Sequence, residues 1–113
     1  MARAATTSDP FNAVAEPRRR EILELLVSGE RSVGDLVSRL GLEQPSVSKH
    51  LGVLRRVGLV RARRHGRNIL YEVNPAGIRP LHEWTNTFER LWAHQLLRVK
   101  ERAEQKAKRV DCE

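Results

Sequence analysis

The sequence predicts a mainly α-helical chain with one small β-hairpin, and three observations carry that prediction. Apolar residues recur every three or four positions through most of the chain, the period of a helix with one buried face. Two short segments of this kind, Val33 to Leu40 and Gln44 to just before Gly58, are separated by only Gly41, Leu42 and Glu43. Two six-residue segments, Leu59–Arg64 and Asn68–Val73, flank a turn at His65-Gly66-Arg67; in the first, Val60 and Ala62 alternate with Arg61 and Arg63, the period of a strand. In this order the elements make a winged helix-turn-helix followed by a long C-terminal helix.

Taken from the N-terminus, Asp9-Pro10 caps and opens a short first helix that carries Phe11 and Val14 inward. Pro17 opens a second, with Ile22, Leu25 and Leu26 on its inner face. Arg18, Arg19 and Arg20 have Glu21 and Glu24 within reach, so the triplet reads as a solvated face rather than a second nucleic-acid site. After Gly29, Ser32-x-x-Asp35 has the form of a capping box, and Val33, Leu36, Val37 and Leu40 fill the inner stripe of the third helix. Val47, Leu51 and Leu54 do the same for the fourth, which tolerates Pro45 in its first turn. Asn74-Pro75 starts the terminal helix. Its apolar stripe runs through Ile78, Leu81, Trp84, Phe88, Leu91, Trp92, Leu96 and Val99. A continuous helix from Pro75 to about Lys106 would be ~48 Å long, too long for the earlier helices to cover. A second copy of the chain is the simplest cover, which makes Leu81, Trp84, Phe88, Leu91 and Trp92 candidates for a homodimer interface.

With 113 residues, 40% of them hydrophobic, the chain has room for a single domain. The expected limits are a tail at 1–8, the domain at 9–106 and a second tail at 107–113. No apolar run approaches the ~18 residues of a membrane span, and Met1–Asp9 lacks the apolar core of a secretory signal. Cys112 is the sole cysteine and cannot form an intrachain disulfide, which fits a reducing, cytoplasmic setting.

Charge points to the partner. The 28 residues from Gln44 to Tyr71 contain no Asp or Glu but hold Lys49, Arg55, Arg56, Arg61, Arg63, Arg64 and Arg67. The other 14 cations balance the 14 acids, so the whole net charge of +7 resides in this window. A solvated surface would intersperse acids; a phosphate-binding face would not. The fourth helix therefore reads as a recognition helix for double-stranded DNA. Gln44, Ser46, Ser48 and Lys49 would face base edges, although Ser46 serves equally as a helix-start residue. Arg55 and Arg56 lie further along and suit phosphates. His50 is either a packed histidine or a phosphate contact. Arg63, Arg64, His65 and Arg67 on the wing would reach the backbone or the adjacent minor groove. Ser46, Ser48 and His50 have no acid to orient them, and no phosphate-loop glycine pattern occurs, so an enzyme is not expected. A winged helix serving only as a protein-interaction module is the alternative, and it predicts mixed charge on wing and helix.

The segments Ser32-Val33-Gly34-Asp35-Leu36, Gln44 through Leu51, Leu54-Arg55 and Gly58-Leu59-Val60, together with the opening Phe11 through Arg19, resemble the ArsR/SmtB family of winged-helix regulators over about residues 10–100. The resemblance implies binding of a palindromic operator by a dimer, commonly repression relieved by an inducer whose identity the sequence does not name. It also implies where metal would bind, and there the sequence departs. Positions that hold Cys-Val-Cys in many members are Ser32, Val33 and Gly34 here. For the family's terminal-helix site, Glu83 and His94 lie 11 apart, ~20° around one helix, but the flanking positions are Leu81 and Leu97. His82 and His94 are ~120° apart, a poor pair. Two ligands per chain fall short of the four of a tight zinc site. A weak nickel or zinc site built from Glu83, His94 and a partner's His82 is the remaining metal-responsive alternative.

Overall fold

Polar side chains cap the first three helices in the computed structural model, which describes residues 9–111. The expected tail at 1–8 and Cys112 lie outside the described residues. The Asp9 carboxylate accepts from the Phe11 amide at 2.9 Å and caps α1 (Pro10–Ala13). Glu16 caps α2 (Pro17–Val27) in the same way. β1 (Arg31–Ser32) leads into α3 (Val33–Leu40), where the Ser32 hydroxyl accepts from the Asp35 amide at 3.2 Å. Only half of the expected capping box forms, because the Asp35 carboxylate turns to Arg31 (2.8 Å) and Arg39 (2.9 Å). Gly41, Leu42 and Glu43 connect α3 to α4 (Gln44–Arg56). β2 (Val60–His65) and β3 (Asn68–Val73) form the hairpin, and α5 (Pro75–Asn86) and α6 (Glu89–Asp111) complete the chain.

The chain divides into two compact units, Met1–Leu81 and His82–Glu113. The first holds the core. Ile22, Leu23 and Leu26 of α2, Leu36 of α3, and Val47, Leu51 and Leu54 of α4 are buried together with Ala13, Leu59 and Val60. Each large aliphatic side chain buried this way contributes about 1.5–3 kcal/mol. The inner stripes of α3 and α4 are those the periodicity predicts. In α1 the pattern differs: Ala13 is buried at 2% exposure and Phe11 is 39% exposed, because four residues make barely one turn and the smaller side chain faces in.

The sheet has three antiparallel strands in the order β1-β3-β2. β1 pairs Arg31 with Tyr71 and Ser32 with Leu70, adding a strand to the expected hairpin. His65 is in the ladder opposite Asn68, so the turn is Gly66-Arg67 alone. Gly66 takes φ 63°, the positive value that a two-residue hairpin turn needs at its first position.

The terminal helix is not continuous. α5 stops at Asn86 and α6 starts at Glu89. At the interruption the Thr87 and Phe88 amides bond to carbonyls three residues back, those of Trp84 (3.1 Å) and Thr85 (3.0 Å). The Thr85 and Thr87 hydroxyls donate to the carbonyls of His82 (3.0 Å) and Trp84 (2.7 Å), so side chains compete with the helical ladder where the break falls. α5 is also docked at its start. The Asn74 amide nitrogen of the side chain donates to the Gly58 carbonyl at 2.9 Å, and a Cβ on Gly77 would lie 1.9 Å from the same oxygen.

Candidate nucleic-acid interface

Burying Val47, Leu51 and Leu54 turns the opposite side of α4 outward. Gln44, Ser48, Lys49, Arg55 and Arg56 are exposed on it, and Ser46 and His50 are half-buried at its margins. Gly52 lies between Ser48 and Arg55 in the i, i+4, i+3 sequence of that outward stripe, with nothing within 4 Å of where a Cβ would be. The sequence reading passed over this bare patch, although a glycine inside a helix, about 1 kcal/mol worse than alanine, was the available signal.

His50 differs from the other polar residues of α4. Its Nδ1 is buried with no hydrogen-bond partner among the described residues, so Nε2 is the nitrogen left for an outside contact. Burial, followed by the charge of Arg19, holds the imidazole pKa below its usual value. Arg19 and Arg20 themselves reach back to α1, where Arg19 Nε donates to the Ala13 carbonyl (2.7 Å) and Arg20 to that of Val14 (2.8 Å). Of the triplet, Arg18 alone among the described residues makes a carboxylate contact, with Glu21 at 3.1 Å.

The seven cations of the acid-free window separate into two groups. Arg61 pairs with Glu72 at 3.4 Å, and Arg63 takes the Glu30 carboxylate with Nε and with a terminal nitrogen at 2.8 Å. Both acids lie outside the window, so two of its cations are answered from elsewhere in the fold. Lys49, Arg55, Arg56, Arg64 and Arg67 have no ion-pair partner among the described residues. Arg64 and Arg55 line a cleft of about 190 Å³ between β2 and the end of α4, with Ala62, Arg63 and Ile69. Arg67 and Gln44 line another of about 390 Å³ that joins the wing turn to the first turns of α3 and α4. His65 is exposed next to the turn. The structure thus brings the outward side of α4 and the wing turn together in the first unit, with the exposed Glu43 beside the start of α4 and Glu30 and Glu72 against the wing strands.

Residues 16–62 match the family of bacterial regulatory proteins described as arsR. The chain is 32% identical over 78 residues to the transcriptional repressor SdpR of Bacillus subtilis, covering 69% of this chain and 87% of SdpR. It belongs to the ArsR family. Two further proteins are similar to it. The HTH-type regulator Rv0081 of Mycobacterium tuberculosis is 52% identical over 64 residues, 56% of each chain. The solution structure of the homodimeric winged helix-turn-helix domain Mb0332 from Mycobacterium bovis superposes with a TM-score of 0.63 at 30% identity, over 78% of this chain and 82% of that one. The present chain spans little more than half the length of Rv0081.

The metal positions known for ArsR proteins are not matched by residues of this ArsR member. Ser32 spends its hydroxyl on capping α3, and among the described residues no three His, Cys, Asp or Glu side chains come together. The same-face relation of Glu83 and His94 assumed one continuous helix. Glu83 is on α5 and His94 on α6, and the break at Thr87-Phe88 removes that relation. In the second unit Trp84, Phe88, Leu91 and Trp92 are 41–65% exposed, and Trp84 and Phe88 stack edge to face at 5.3 Å. Leu81, expected with them, is half-buried against the chain's own core. No helix among the described residues is long and apolar enough to cross a membrane.

Proposed function

We propose that this ArsR-family chain is a sequence-specific DNA-binding repressor that acts as a homodimer on a palindromic operator. The observation that carries the reading is the juxtaposition of Arg64 and Arg67 of the wing with Gln44 and Arg55 of α4 along two clefts that no acid lines. Gln44, Ser46, Ser48 and Lys49 read base edges in the major groove, Arg55 and Arg56 hold phosphates, and the wing follows the backbone. His50 adds a phosphate contact through Nε2. The homodimeric state of Mb0332 supports two-fold assembly, with the exposed apolar residues of α5 and α6 as the interface. Placing the protein in the cytoplasm follows from operator binding.

Anisotropy titration on DNA from the protein's own upstream region, repeated across salt concentrations, tests the proposal. Specific binding with a steep salt dependence is expected. Binding that is absent, or insensitive to salt, would favour a protein-interaction module instead.

A further inference from the structure

Of the wing arginines, Arg63 is the one that meets a carboxylate with two of its nitrogens. Nε and a terminal nitrogen meet the two oxygens of Glu30, the bidentate geometry in which an arginine gives up a whole edge to one carboxylate. Strand alternation places Arg61 and Arg63 on one face of β2 and Arg64 on the other. The first face carries Glu72, opposite Arg61 in the ladder, as well as Glu30. A phosphate approaching there meets two carboxylates. The cleft that joins Arg64 to Arg55 is lined also by Ala62, Arg63 and Ile69, and by no acid.

Glu30 is itself on firm ground. It directly precedes β1, which is in the ladder with β3. The next residue, Arg31, is tied to the Leu25 carbonyl (2.9 Å), the Ser28 hydroxyl (2.9 Å) and Asp35 (2.8 Å). The hairpin is therefore braced on both strands by one segment, β3 through backbone pairing with β1 and β2 through the Arg63–Glu30 contact.

We infer that Glu30 is a positioning residue for DNA binding: through Arg63 it holds the wing at the attitude in which Arg64 and Arg67 meet the backbone, and Arg63 is a brace rather than a phosphate contact. The inference rests on the reading of the chain as a DNA-binding regulator. A wing that samples other attitudes presents its cations correctly for only a fraction of the time, and affinity falls by that fraction.

The test measures operator affinity, its salt slope and the melting temperature for Glu30→Gln, Arg63→Gln, the double variant and the reversed pair Glu30→Arg with Arg63→Glu. Each single variant is expected to weaken operator binding about three- to fivefold, and the double variant by no more than either single. The salt slope and melting temperature should stay at wild-type values, since an exposed pair adds little to stability, and the reversed pair should recover affinity. A slope lowered by about one in Arg63→Gln, with Glu30→Gln binding as well as or better than wild type, would make Arg63 a phosphate contact and overturn the inference. Affinity losses that merely follow a falling melting temperature would overturn it too. If wild-type protein shows no salt-dependent DNA binding, it is the functional proposal that fails; if it binds and Glu30→Gln changes nothing, only the role of Glu30 falls.

Discussion

The His50 ring sits one residue before buried Leu51, and its enclosed Nδ1 makes protonation costly in the fold. An unfolded chain has no such penalty and takes up the proton near the ordinary value of 6.5. As pH falls through 6.5 the unfolded state binds protons first, so stability drops, and the loss levels off below the lowered folded value. Urea titrations of wild type and His50→Gln between pH 8 and 5 should show the wild type losing stability the more steeply; parallel curves would contradict this. Arg64 and Arg67, without ion-pair partners among the described residues, should act together. Replacing both with Gln is expected to weaken all DNA sequences alike and flatten the salt slope by about one per lost phosphate, whereas Ser48→Ala should cost about 1–3 kcal/mol at one operator position. Gly52→Ala meets open space, so it should raise stability by about 0.5–1 kcal/mol in thermal melts, while the bulkier Gly52→Gln should lower operator affinity by crowding the DNA-facing stripe.

At the scale of elements, the helix-turn-helix and hairpin were legible because their signals are local. Val47, Leu51 and Leu54 mark a face by spacing alone, and a glycine between two alternating segments marks a turn. The missing pieces had no local signal. β1 is two residues long and shows no period. The apolar spacing of Trp84, Phe88, Leu91 and Trp92 runs straight across the break, so periodicity could not reveal it; the hydroxyls of Thr85 and Thr87 were the only hint. The acid that answers Arg63 is 33 residues away, outside any window of charge counted along the chain. The joint between α5 and the end of α4 depends on close approach. Gly77→Ala would force a methyl group into the Gly58 carbonyl, and overpacking of this kind costs about 3 kcal/mol; chemical denaturation should show it, and a change under about 0.5 kcal/mol, the range of ordinary surface substitutions, would mean that the contact relaxes freely.

For the whole molecule, the proposed recognition of an operator by a dimer places the interface on the second unit. Leu91→Glu or Trp92→Glu should give monomers in sedimentation velocity and weaken operator binding about 100-fold through loss of the linked half-site. An unchanged sedimentation coefficient would remove α6 from the interface. Half-sites should repeat about one helical turn apart, ~34 Å, and shifting one by half a turn should abolish high-affinity binding. The two residues between α5 and α6 then acquire a consequence for related regulators sharing one cell. Inserting or deleting a single residue there re-aims everything beyond it, carrying Leu91, Trp92, Leu96 and Val99 to a new bearing. No atom of α4 or of the wing is altered. Which subunit a chain accepts as its mate can thus drift while the operator it reads stays the same, and a duplicated copy could stop exchanging subunits with its parent before its binding site changed at all.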